Sequence, residues 1–288
     1  MNRREVVLGT IISLGLPPPI SAKARKSQLT RLISRNQRLF VPARINGHAV
    51  LALLDSAAEL TLLDRSFAAR IGLVGGTETQ ARGSGAGSVS AQLLDHVTIT
   101  APGMMEHLGP AAVVDLTDVS RRLNGVPIVA ILGRDYFDQV RLEIDIDART
   151  LRPLGSNDHP AGQLFPLKTE FGVETMDVVA EGRIARATVD LGNGNEPLIS
   201  RAFASRLGAL TDGRTIGQAQ GGGIGGEAAR ERFILKNITI GQKIFIDIPV
   251  IVDASENASD LNLGTSVLRH FVVTTDFGNH RLWLRPKN

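Results

Sequence analysis

From Arg38 onward, apolar side chains alternate at Leu39, Val41, Ala43 and Ile45, break at Asn46-Gly47, and resume in the run Ala49 to Leu54. A period of two puts one set of side chains on one face of a strand. Asn-Gly between two such segments predicts a two-residue hairpin, because both turn positions accept positive φ. The run ends by delivering a carboxylate, Asp55, into the small-residue turn Ser56-Ala57-Ala58, with Leu60 to Leu63 following. A carboxylate set directly after a buried strand is costly unless something pairs with it. Asp64 reads as the N-cap of a short helix that stops at Gly72. The stretch Gly83-Ser84-Gly85-Ala86-Gly87 is too rich in glycine for a packed element and suits a hairpin tip or loop. Strands are expected at 93–99, 111–114, 126–132 and 139–146.

After a linker at about 153–163 the same order of elements recurs. Residues 178–180, the turn Glu181-Gly182 and residues 183–189 lead to Asp190, 135 positions after Asp55. Ser200 caps a helix over 201–207 that stops at Gly208. The cluster Gly221-Gly222-Gly223-Ile224-Gly225-Gly226 takes the place of the first glycine stretch, and Ile238-Thr239-Ile240 answers Val97-Thr98-Ile99. Leu263-Gly264, Asp276 and Leu282 answer Leu132-Gly133, Asp145 and Leu151 at a steady offset of 131. Six matched features in one order predict two copies of one β-rich unit.

Composition narrows the picture. A chain of 288 residues with 43% hydrophobic content buries a sizeable core, as one large unit or two ordinary ones. The net charge of +3 is scattered, without the basic stripe and stacking aromatics that nucleic-acid binding uses, so nucleic acid is not an expected partner. Residues 1–24, with Arg3-Arg4, a short apolar segment from Val6 to Leu16 and the small-residue site Ala22-Lys23-Ala24, read as an export signal cleaved after Ala24. The apolar segment is shorter than the roughly 20 residues a bilayer span needs, so no stable membrane insertion is expected after cleavage. The paired arginines suit the twin-arginine route and equally a Sec signal. Location is therefore expected to be periplasmic or secreted. The chain contains no cysteine, which excludes disulfides, thiol catalysis and a cysteine-linked lipid anchor. Its six histidines form no zinc-binding pattern.

Equivalent loops of two units related by an approximate two-fold axis face each other, which would bring Asp55 and Asp190 within hydrogen-bonding distance. Two carboxylates about 3 Å apart cannot both ionise and share a proton. A water between them meets a base and an acid at once and can attack an amide carbonyl. These residues carry a resemblance: the chain is similar to the retropepsin-like aspartic proteases of bacteria, in a single-chain, two-lobed, pepsin-like form. The carriers are Ile45-Asn46-Gly47 through Leu54-Asp55-Ser56-Ala57-Ala58, the helix ending Ala69-Arg70-Ile71-Gly72-Leu73, the glycine flaps and Ile131-Leu132-Gly133-Arg134-Asp135. In the second half they are Val189-Asp190-Leu191-Gly192-Asn193 and Leu263-Gly264-Thr265.

The resemblance implies an all-β fold of two tandem, pseudo-two-fold-related acid-protease-like β-barrel lobes, 25–155 and 156–288, with a short helix in each. It implies an aspartic endopeptidase acting on extended peptide or unfolded protein, without metal or organic cofactor, Asp55 and Asp190 being catalytic. The active-site turns would be Ser56, Ala57 and Ala58, facing Leu191, Gly192 and Asn193. The flaps would be Gly83 to Gly87, facing Gly222, Gly223, Ile224 and Gly225. With both lobes in one chain, a monomer is expected. Ala57 stands where the family has glycine and Leu191 where it has a hydroxyl, so a pseudo-protease that binds peptide or another exported ligand without cutting is the alternative. A third reading pairs one catalytic lobe with another molecule.

Blander assignments cover the rest. Neither glycine cluster opens a helix after a strand with a ribose-binding acid downstream, which argues against a phosphate loop. No histidine is placed to activate Ser56 as a nucleophile. Asp145, Asp147 and Asp276 are expected to end strands, and Phe271 and Trp283 to lie in the core.

Overall fold

The computed structural model describes residues 28–82, 87–123 and 125–287, so the proposed export signal lies outside the described residues. It is all-β with five short helices: α1 (Arg65–Arg70), α2 (Thr117–Arg122), α3 (Arg134–Gln139), α4 (Arg201–Arg206) and α5 (Thr265–Leu268). None is long and apolar enough to cross a membrane. The expected hairpins form, and Asn46-Gly47 and Glu181-Gly182 adopt positive φ at both turn positions. That geometry matches the right-handed twist of the paired strands.

Two eight-stranded sheets follow in tandem. The first runs, by residue ranges, 33–35, 38–45, 48–54, 130–132, 62–64, 104–114, 88–101 and 77–82. The second has the same order: 168–170, 173–180, 183–189, 261–263, 198–200, 243–253, 226–240 and 215–223. In each, an extra pairing curls the sheet back on itself, Ile45 against Ile99 in the first and Ala180 against Ile238 in the second. The internal repeat read from the chain is therefore a repeat of topology. Leu54, Leu63 and Ile99 in the first sheet, and Val189, Ile199 and Ile238 in the second, point inward and are fully buried.

A third sheet, of six strands, draws on both halves: 30–31, 150–154, 141–145, 271–276, 281–286 and 163–166. Its central pair sets Glu143 opposite Thr274, positions equivalent under the offset of 131. Equivalent residues meeting each other mark where an approximate two-fold axis passes. This sheet combining both halves was not anticipated, because alternation shows which face a strand buries and says nothing of its partner.

Several expectations need correcting. The strand expected over 126–132 is only Ala130–Leu132, and the one over 139–146 is Arg141–Asp145. α3 occupies the residues between, seating Tyr136 and Phe137 in the core. α2 falls where no element was expected. A hairpin turn at Asn36-Gln37, both at positive φ, was also unforeseen. Phe271 is buried, but Trp283 is only half-buried, on the strand next to the edge of the six-stranded sheet. Asp145 and Asp276 do end strands.

The two expected helix caps form, and their difference is measurable. The Asp64 carboxylate accepts from the amides of Ser66, Phe67 and, across the fold, Leu116. The Ser200 hydroxyl accepts only from Phe203. Replacing a cap alone costs about 1 kcal/mol, and leaving a further buried donor unsatisfied adds about 1–3 kcal/mol. Asp64→Ala is thus expected to destabilise the fold at least twice as much as Ser200→Ala, as read from urea unfolding midpoints.

Candidate active site

Both aspartates leave a strand whose end runs parallel to a short neighbour. Leu53 and Leu54 pair with Ile131 and Leu132, and the Asp55 amide donates to the Leu132 carbonyl at 3.0 Å. Val189 pairs with Leu263, and the Asp190 amide donates to the Leu263 carbonyl at 3.0 Å. Next on those short strands come Gly133 and Gly264. A β-carbon on Gly133 would overlap the Leu60 carbonyl, and one on Gly264 the Asn193 carbonyl. The apolar-apolar-Gly turns are thus the places where the chain passes hard against each aspartate loop.

Each carboxylate folds its own turn. Asp55 Oδ1 accepts from the amides of Ala57 and Ala58 at 3.0 and 3.1 Å. Asp190 Oδ1 accepts from Gly192 and Asn193 at 2.8 and 3.0 Å. Across the axis, a β-carbon on Gly192 would overlap the Asp55 carboxylate, so the two loops are in contact and only glycine fits there. The buried Ser56 hydroxyl donates to the Val189 carbonyl at 2.7 Å and accepts from the Leu191 amide at 2.9 Å. Leu191 offers no return bond; its side chain is fully buried in the core, away from the cleft, so among the turn residues it supports the site and does not line it.

The halves differ most at the second oxygen. Asp190 Oδ2 accepts from the side-chain amide of Asn262 at 2.7 Å, and Asn262 in turn accepts from Asn193 Nδ2 at 3.0 Å. The position equivalent to Asn262 is Ile131, which gives Asp55 no such donor. Burial, and next the charge of Asp190, raise the Asp55 pKa to about 7, against the pull of the Ala57 and Ala58 amides and Arg38. Burial also raises Asp190, opposed by Asn262, by the Asn193 and Gly192 amides and by Arg38. Donors at both oxygens favour the ionised form of Asp190. The donor set therefore favours the ionised form more at Asp190 than at Asp55.

The two carboxylates lie at the floor of a cleft of about 720 Å³. Over it Ile224 crosses to pack on the apolar cluster of the first sheet, and the Gly87 amide donates to the Gly225 carbonyl at 2.9 Å. Gly222, Gly223 and Ile224 line the cleft, while Gly83, Ser84, Gly85 and Ala86 lie outside the described residues. Among the described residues, no three His, Asp or Glu side chains are grouped to hold a metal ion.

Sequence reasoning missed Asn262 and Arg38. Arg38 Nε donates to the Gly192 carbonyl and Nη1 to the Asn36 carbonyl, each at 3.0 Å, so the Asn36-Gln37 turn packs against the second aspartate loop. Asn262 was detectable as a polar residue inside the short apolar strand Leu261-Asn262-Leu263, where the first copy has isoleucine. Arg38 carried no signal, since an arginine opening a strand is ordinary.

Two measurements check this electrostatic arrangement. In a carboxyl-carbon NMR titration, Asp55 should be protonated and Asp190 ionised near pH 5.5; in Asn262→Leu the proton density should move toward Asp190, since losing a charge-assisted bond is worth about one pKa unit or more. Stability carries the second signature. Asp55 binds its proton more tightly folded than unfolded, so its contribution is full at acid pH below its unfolded pKa and is lost as pH rises toward 7. Between pH 4 and 7 the wild type should lose stability relative to Asp55→Asn, read from thermal midpoints of both proteins.

Comparison with known proteins gives one family: the model described as Aspartyl protease matches residues 41–136. The matched segment contains Asp55, its turn and the Ile131-Leu132-Gly133 passage; Asp190 lies beyond it. No curated protein matches the chain. Residues 41–136 thus carry the aspartyl protease pattern, and the activity class it supports is peptide-bond hydrolysis.

Proposed function

We propose that the chain is an aspartic endopeptidase in which Asp55 and Asp190 form one catalytic pair. The observation that carries this reading is the unequal environment of two carboxylates on touching loops: Asp190 has donors at both oxygens, while Asp55 has them at one oxygen and its pKa is pushed up to about 7. A water seated between them gives its proton to Asp190 as its oxygen attacks the substrate carbonyl carbon. Asp55 donates its proton to the carbonyl oxygen, which would otherwise become an alkoxide. Collapse of the tetrahedral intermediate breaks the C–N bond, with the proton on Asp190 going to the leaving nitrogen and the carbonyl-derived proton returning to Asp55. The pair is regenerated, and proton transfer of this kind contributes typically about 10²–10⁴-fold.

The substrate would be an extended polypeptide laid along the cleft, entering when the Gly87–Gly225 contact opens. Its extent is framed by two lobes, 25–155 and 156–288. Both halves of the site come from one chain, which supports a monomer, and the Arg3-Arg4 apolar segment supports action outside the cytoplasm, periplasmic or secreted. Ala57 gives its amide to Asp55, and Leu191 lies in the core.

Incubation of the purified chain with a reduced, unfolded polypeptide from pH 3 to 8 tests the proposal. Cleavage should fall above about pH 7 as Asp55 loses its proton, and drop by about 10²–10⁴-fold in Asp55→Asn and in Asp190→Asn. Peptide bound but left uncut at every pH would assign the cleft to binding alone.

A further inference from the structure

The polar lining of the cleft is basic. Arg38 enters from the start of its strand, Arg121 and Arg122 from α2, and Arg230 from the strand 226–240. Among the described residues, Asp55 and Asp190 are the only carboxylates that line it. Sharing a proton, that pair carries one negative charge, and Arg38 and Arg122 line the same cleft. Acids behind the lining offset part of this. Asp118 pairs with both Arg121 and Arg122, at 2.6 and 2.9 Å. Asp253 stands 3.9 Å from Arg230. Arg38 gives its two hydrogen bonds to neutral carbonyls, leaving its charge facing the pair.

Arg38 and Arg122 both line the cleft and are each fixed to a backbone carbonyl of the second half. Arg38 is anchored on the second aspartate loop, and Arg122 reaches from α2 to the Gly223 carbonyl at 2.5 Å, next to the tip of the second flap. Burial lowers the Arg38 pKa, Asp190 and Asp55 raise it, and Arg122 lowers it again, which places the two guanidinium groups within electrostatic reach of each other. Neither has a counterpart in the second half: the position equivalent to Arg38 is Val173, and no helix matches α2. Two like charges fixed in the lining of one cleft by carbonyl contacts favour an anionic group bound beside them.

We infer that the cleft selects polypeptide segments bearing an acidic side chain close to the bond held at the aspartate pair, with Arg38 and Arg122 as specificity-determining residues. The inference rests on the peptidase reading for its substrate class, though not for its charge preference. Planar guanidinium groups bind carboxylates in paired hydrogen bonds, and a lysine in the same place would be repelled.

The test begins by mapping cleavage sites in a reduced, unfolded protein by mass spectrometry, where Asp and Glu should be enriched within three residues of the cut bond. Peptides identical except for Glu or Gln at the enriched position are then compared. The Glu form should have about tenfold higher kcat/KM in the wild type, and bind about tenfold more tightly to Asp55→Asn by fluorescence anisotropy, with the advantage shrinking at ~1 M salt. In Arg122→Gln the preference should fall below about threefold, and Arg122→Glu should favour a Lys peptide. Cleavage with equal kcat/KM for Glu and Gln peptides would overturn the inference and leave the peptidase reading standing. Tighter, salt-sensitive binding of the Glu peptide with no cleavage would do the reverse. Equal affinity for both peptides with no cleavage would overturn the inference and the peptidase reading together. The wild-type comparison needs no variant, so a misfolded arginine mutant would not remove the test.

Discussion

Everything in this molecule is arranged around two carboxylates placed where water cannot fully solvate both. An ionised carboxylate taken from water is stabilised only by donors and opposite charge. Here the supply of donors is finite and unevenly divided. Four amides fold the two turns, one side-chain amide serves Asp190 alone, and a single guanidinium acts on both. Burial still raises the pKa of both aspartates, that of Asp55 to about 7. The six-stranded sheet that holds both halves, the Ser56 bonds across the axis and the absent β-carbon at Gly192 all keep the loops in contact.

The repeat supplies the near-symmetry, and departures from it supply the chemistry. Asn262 against Ile131 separates the two acids in basicity. Arg38 against Val173, and α2 against a stretch with no helix, put guanidinium groups into the lining of the cleft. Ser56 makes both inter-loop bonds by itself, because Leu191 has traded its hydroxyl for burial in the core. Each departure exchanges an interaction that symmetry would have duplicated for one that distinguishes the halves.

Much of this could be read along the chain. The two hairpins and the caps at Asp64 and Ser200 rest on short-range signals: a period of two, turn residues that accept positive φ, and side chains that bond nearby amides; the recurrence of the same order of elements in both halves rests on the internal repeat. What could not be read depends on which strand lies beside which. The six-stranded sheet draws strands from both ends of the chain, with no local signature of pairing. Arg38 becomes part of the site only because the turn before it packs on residues more than 150 positions later, at Gly192. α3 was overlooked because Arg134 to Gln139, between two apolar strands, is too short for a helical period to register.

The account stands on one proton held unequally between two touching loops. An atomic-resolution crystal structure of the chain near pH 5.5 would examine this directly, since a protonated carboxyl group has unequal C–O bonds and an ionised one has equal bonds. The predicted result is inner oxygens of Asp55 and Asp190 about 3 Å apart, with unequal bonds in Asp55 and equal bonds in Asp190. Carboxylates separated by about 5 Å or more, or equal bonds in both, would contradict it.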